Sequence, residues 1–106
     1  MGRQVTRGDV CLAQVGNKKR PVLVLTRPGV IDVRSLVTVA EVTTSVRSLA
    51  TEVPVDQRRA GLERASVINC DGLHTVAKSS LSNPIGAVDG VTMRAVCRAV
   101  AYALGC

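Results

Sequence analysis

A carboxylate and a hydroxyl stand two positions apart at the end of the run Leu36-Val37-Thr38-Val39-Ala40-Glu41-Val42-Thr43. Alternate side chains of a strand share a face, so Glu41 and Thr43 follow Val37 and Val39 on one side. Leu36, Thr38, Ala40 and Val42 take the other. A face that begins with two valines and ends in a carboxylate and a hydroxyl leaves a core and reaches a rim, although any strand end at the solvent boundary can look this way. Interest comes from Lys18-Lys19-Arg20, which precedes a second apolar run, Pro21-Val22-Leu23-Val24-Leu25-Thr26, and which a hairpin would bring to the same rim. A guanidinium holds two phosphate oxygens through parallel N–H bonds, and a hydroxyl donates to a third. Arg20 beside Thr43 would therefore make a compact phosphate site. An arginine does not give up its proton near neutral pH, so proton transfer falls to Glu41, on the face of Thr43, or to His74, the single histidine. Imidazole titrates near neutrality, but a lone histidine more often serves packing or hydrogen bonding than catalysis.

The elements that must position these groups read as short strands between turns. The first covers residues 9–15 and stops at Gly16-Asn17, a turn dipeptide. The second, Pro21 to Thr26, is apolar on both sides and so central and well covered; its proline sits at the start, where a missing donor does no harm, and Pro28-Gly29 ends it. Residues 36–43 form the third strand, 51–55 a fourth, 65–70 a fifth, and the stretch around 85–88 a sixth. The chain closes with a helix: Asp89 is an N-cap, Met93, Val96, Cys97, Val100 and Leu104 form an apolar stripe, Arg94 and Arg98 lie opposite, and Gly105 is the stop. Strands at this spacing with one terminal helix predict a mainly β (α+β) chain folded as a small barrel, with residues 1–106 as one domain.

Composition narrows the chemistry further. Fourteen Lys and Arg against eight Asp and Glu give a formal charge of +6. Most of the excess lies in residues 1–35, where Arg3, Arg7, Lys18, Lys19, Arg20, Arg27 and Arg34 face only Asp9 and Asp32. That is either a solvated face, or a patch that attracts phosphates or an acidic partner. Tyr102 is the only aromatic residue, which excludes base-stacking platforms. At 46% hydrophobic residues the chain is too apolar for disorder. No apolar run reaches the roughly 18–20 residues of a membrane helix, and Met-Gly-Arg-Gln-Val-Thr is too polar for a secretory signal. Cys11, Cys70, Cys97 and Cys106 include no Cys-x-x-Cys pair, so no zinc site is expected. They read as reduced thiols in a cytoplasm, three of them small core residues.

Taken in order, Arg7-Gly8-Asp9-Val10, Arg20-Pro21-Val22-Leu23-Val24-Leu25-Thr26, Thr38 to Thr44, Glu52-Val53-Pro54-Val55, Ser66-Val67-Ile68-Asn69-Cys70-Asp71, His74-Thr75-Val76 and Ile85-Gly86 resemble the MazF/PemK toxin endoribonucleases. The resemblance covers most of residues 7–104. It implies an SH3-like barrel that dimerises, cuts single-stranded RNA at short sequences without metal or other cofactor, and is neutralised by an acidic antitoxin. It further implies attack of a 2′-hydroxyl on the adjacent phosphorus, giving 2′,3′-cyclic phosphate and 5′-hydroxyl ends. The family's catalytic arginine maps onto Arg20 and its catalytic threonine onto Thr43, the pair reached above from alternation. Glu41 or His74 would then move protons, and Lys18, Lys19, Arg20, Arg27, Thr44, Ser45, Arg47, Asn69 and Asp71 would contact RNA.

The chain departs from the family at several points. Cys11 stands where an aromatic is common, Ala65 where aspartate is usual, and His74 where arginine is more typical. The first loop is only Gly16-Asn17-Lys18-Lys19, which predicts an open groove holding RNA largely by charge. Two other readings are a CcdB-like poison of DNA gyrase and an inert RNA-binding barrel. The first is disfavoured by an ending in Leu-Gly-Cys without tryptophan, the second by Arg20 and Thr43.

Overall fold

A two-residue turn at Gly16-Asn17 joins β1 (Asp9–Val15) to β2 (Lys18–Val24), with Val15 paired to Lys18 and Ala13 to Arg20. The computed structural model describes residues 4–106; the polar segment at residues 1–3 lies outside them. After α1 (Pro28–Ile31) come β3 (Leu36–Thr43), β4 (Glu52–Pro54), β5 (Val67–Ala77), a 3-10 turn, β6 (Gly86–Ala87) and α2 (Gly90–Leu104). The strands form one six-stranded sheet in the order β4-β5-β3-β2-β1-β6, antiparallel throughout. This is the mainly β barrel-type architecture with a closing helix that the sequence predicts.

Both faces of the sheet are covered, which explains why β2 is apolar on both sides. Val10, Leu23, Ala40, Val42, Ile68 and Cys70 pack with Val96 and Ala99 of α2. Cys11, Ala13, Val22, Val24, Val37 and Val39 pack with Val5 and with Ile31 of α1. Burying such aliphatic side chains contributes roughly 1.5–3 kcal/mol each before chain entropy is counted.

Four expectations are corrected. Lys18 and Lys19 belong to β2, not to the loop, and Arg20 lies within that strand, which ends at Val24, because the turn consumes only Gly16 and Asn17. Residues 28–31 form a helical turn with Pro28 at its start, where proline's fixed φ is favourable. The strand predicted over 65–70 begins at Val67 and runs on to Ala77, passing a register shift opposite Ala40 and Glu41. Finally, α2 has the Asp89 cap, accepting from the Thr92 N–H, and the Gly105 stop as read, but its buried residues are Val96 and Ala99. Cys97 is exposed, so two cysteines, Cys11 and Cys70, are buried, not three.

Candidate functional site

Three neighbouring strands bring the predicted groups to one face. Val22 pairs with Glu41 and Val24 with Val39, so Arg20, Val22 and Val24 share a side of the sheet with Val39 and Glu41. Val22 and Val24 are buried there, whereas Arg20 is exposed. Two steps past Val22, a continuation of that register would lead to Arg20 and Thr43. The β2–β3 ladder ends at Val22–Glu41, and Pro21 has no N–H with which to extend it. β3 therefore begins to part from β2 at Thr43, leaving a notch beside the hairpin.

Thr43 is oriented by its own turn: the Ser45 N–H donates to its Oγ1 at 3.0 Å. Because the oxygen accepts that bond, the hydroxyl proton is available to donate outward. Arg20 is exposed and makes no hydrogen bond or ion pair with another side chain among the described residues.

Glu41 and His74 are not alternatives in space but partners. His74 Nε2 lies 2.7 Å from Glu41 Oε2, with the two side chains 36% and 24% exposed. β5 makes this possible: Asn69 pairs with Glu41 and Leu73 with Ala40, so residues 70–72 bulge out of the ladder. At the bulge, a Cβ on Gly72 would stand 2.8 Å from Glu41 Oε2 and 3.0 Å from Asn69 Nδ2. Glycine thus leaves the room that the carboxylate occupies. Nothing in the sequence spacing of Glu41 and His74 announces the pair, although Gly72 inside a β-rich run is the signal that could have found it.

The expected RNA contacts divide. Lys18, Lys19 and Arg20 sit together on the projecting hairpin, Thr44 and Ser45 follow Thr43, and Asn69 lies beside Glu41. Arg27 is the N-cap residue of α1, beyond the end of β2 opposite Arg20. Arg47 turns back to Glu52, its backbone N–H donating to Oε1 at 2.9 Å and its Nε 3.5 Å from Oε2. Burial pushes the Glu52 carboxyl upward, but hydrogen bonds from Arg47, Leu49 and Ser48 outweigh it and hold the group below its usual value. Asp71 is engaged by the Thr51 hydroxyl at 2.5 Å and lines a hollow with Tyr102 and Ala103 near the end of α2. Arg27 thus lies beyond the far end of β2, while Arg47 and Asp71 are engaged with Glu52 and Thr51.

Arg7 has a structural task, donating to the Leu25 carbonyl at 2.5 Å and to Cys97 Sγ at 3.0 Å. Among the described residues no group of three or more His, Cys, Asp or Glu side chains could hold a metal ion, and no helix is long and apolar enough to cross a membrane.

Comparison with known proteins fits this arrangement. Endoribonuclease MazF3 of Mycobacterium tuberculosis is 50% identical over 70 residues, covering 66% of this chain and 67% of that protein. The structure of the M. tuberculosis toxin MazF-mt6 superposes with a TM-score of 0.84 at 41% identity, over 92% of this chain and 96% of that one. An endoribonuclease in complex with its cognate antitoxin, from a mycobacterial species, gives 0.86 at 26% identity over 95% of both chains. Residues 6–104, which include every strand and the terminal helix, match the PemK-like, MazF-like toxins of type II toxin–antitoxin systems, and the chain belongs to this family.

Proposed function

We propose that this endoribonuclease cuts single-stranded RNA by directing a ribose 2′-hydroxyl onto the adjacent phosphorus. The new O–P bond forms as the P–O5′ bond breaks, leaving a 2′,3′-cyclic phosphate and a 5′-hydroxyl. Arg20 holds two non-bridging oxygens, and Thr43 donates its free proton to the charge that grows on the phosphoryl group. Glu41, with His74 at its back, accepts the 2′-hydroxyl proton, and the leaving 5′-oxygen takes up a proton from the same pair or from water. Internal attack needs no external nucleophile, so the protein's contribution is orientation and electrostatic stabilisation. The step needs protein groups alone and is expected to be metal-independent.

The observation that supports this reading is the register of β2 on β3, in which Val22 pairs with Glu41 and whose continuation leads to Arg20 and Thr43 on the same side of the sheet. The basic hairpin also suits an acidic antitoxin segment that would compete with RNA for the same cations, and a second copy of the chain is expected to complete the groove. The working place is the cytoplasm. The test is incubation with mixed-sequence RNA in EDTA, followed by end mapping. Cuts bearing cyclic phosphates, reduced about 100-fold or more in Arg20→Ala and in Thr43→Ala, support the reading. Cuts that need a divalent ion, or that survive Arg20→Ala, overturn it.

A further inference from the structure

The face of the sheet turned away from Arg20 carries an opening of its own. Leu25, just past the end of β2, and Leu73 of β5 line it together with Val96, Val100 and Leu104 of α2. The cleft measures about 480 Å³, within the range of small-ligand sites, which combine apolar walls with a few polar groups that fix orientation. Leu25, Leu73 and Val100 pack against the core that holds Leu23 and Ala40, whereas Val22 and Val24, on the side of Arg20, belong to the other core. The cleft and the proposed phosphate site therefore lie on opposite faces.

The fixed polar groups at this opening are donors. Arg7 lines it, half-buried, and is held there by its bonds to the Leu25 carbonyl at 2.5 Å and to Cys97 Sγ at 3.0 Å. Those bonds use two of a guanidinium's five N–H groups and leave the others for a ligand. Thr26 lines the cleft too, and its Oγ1 accepts from the Thr38 N–H at 2.8 Å, so its hydroxyl proton is free to donate. Among the described residues no Asp or Glu lines the cleft. Leu104 is 64% exposed, an apolar surface that gains by being covered.

We propose that this cleft binds a small monocarboxylic acid with an aliphatic body. The carboxylate meets the Arg7 guanidinium with the Thr26 hydroxyl beside it, and the body lies along Val100 and Leu104. One guanidinium carries one positive charge, which matches a monoanion better than a doubly charged phosphate ester. An alcohol of the same shape forgoes the charge-assisted bonds, and an ammonium finds a cation where it needs an acceptor. Binding here does not depend on RNA cleavage, because neither Arg20 nor Thr43 belongs to the cleft.

Cys97 reports occupancy, because its sulfur sits on Arg7 in the cleft and is open to reagents. The experiment follows alkylation of Cys97, resolved from the other thiols by peptide mapping, as octanoate is raised, with octanol and octylammonium as probes of the same body. Octanoate is expected to slow labelling several-fold and saturably, octylammonium to have no effect, and octanol to need a concentration about tenfold higher or more. Arg7→Gln is expected to raise the octanoate concentration for half-protection about tenfold or more, each variant being compared with its own unliganded rate. Where loss of the bond to the Leu25 carbonyl unfolds Arg7→Gln, Ala101→Leu replaces it. Ala101 lines the cleft from the helix, and the larger side chain narrows the space without touching Arg7, so it is expected to weaken octanoate as well. No protection by octanoate, equal protection by octanol, or a half-protection point that stays put in a folded Arg7→Gln or in Ala101→Leu overturns the proposal. So does labelling that slows with protein concentration in the absence of acid, since a second copy of the chain would then be what covers the cleft.

Discussion

His74 Nε2 meets Glu41 Oε2 at 2.7 Å because β5 bulges at Gly72 and leaves the carboxylate a place to stand. An added methyl at that glycine would press on Glu41 and on Asn69 together. Gly72→Ala is therefore expected to displace the carboxylate from the imidazole, slow RNA cleavage about tenfold, and cost a few degrees in Tm, roughly 1–3 kcal/mol of overpacking. Cleavage kinetics across pH provide the check, since a lost Glu41–His74 pair changes the profile and mere loosening does not. Unchanged rate and profile would separate the pair from catalysis.

Arg20 is asked to form a fork, not merely to carry charge. Arg20→Lys is expected to retain RNA binding within a few-fold while losing most of the cleavage rate, because an ammonium is a point charge without two parallel donors. Single-turnover rates beside equilibrium binding distinguish the two. Equal losses in both would assign Arg20 to simple attraction.

The hairpin cations Lys18 and Lys19 are exposed and stand beside Arg20. Each that contacts a phosphate should add about 0.7 to the slope of log affinity against log salt for single-stranded RNA. Removing both by alanine should flatten that slope by roughly 1.4, whereas Arg27→Ala, at the far end of β2, should leave it unchanged.

Thiol reactivity reports the packing directly. Cys97 and Cys106 are exposed, and Cys11 and Cys70 are buried. Burial above all, then the nearby charge of Asp71 and the Cys97 sulfur, pushes the Cys70 thiol up to about 11. An alkylating agent at pH 8 should add two labels to the folded protein and four after denaturation. A third label on the folded protein would mean that the core opens readily.

Acid should loosen two specific places. Hydrogen bonds from the Thr92 backbone and hydroxyl, aided by Arg59, hold the Asp89 carboxyl below its ordinary value at the start of α2. Net hydrogen bonding does the same for Glu52 behind the 44–51 loop. A carboxyl with a lowered folded-state pKa stabilises above its ordinary value and loses that contribution as pH falls through the folded one. Hydrogen exchange in the first turn of α2 and in the loop is expected to be flat from pH 7 to 5 after correction for intrinsic rates, and to rise below about 4. Asp89→Asn should blunt the change at the helix.

Much of this was legible in the residues. The third strand's limits follow from its alternation, which ends on two polar groups, and the terminal helix follows from Asp89 and Gly105. Arg20 and Thr43 fall on one side because a strand's period is fixed. The fifth strand's full length is not legible, because Asp71-Gly72 reads locally as a turn, whereas the ladder absorbs it as a bulge and resumes at Leu73. The buried stripe of α2 was rotated because Cys97 and Ala99 are both small and apolar, and only contact with β4 and β5 decides which faces inward. The cleft beside Arg7 was invisible because its walls are gathered from residues far apart in sequence.

The outer strands of the sheet carry a consequence for how this chain associates. β4 has three residues and ends on Pro54, and β6 has two, so neither margin offers enough free amides to template an added strand. The interior length of backbone that β3 leaves uncovered, at Lys18–Arg20, bears three consecutive cations that repel an identical segment. Runaway stacking of copies is thereby discouraged at these places, and a polypeptide that binds the hairpin must be chosen by its side chains, above all by its negative ones.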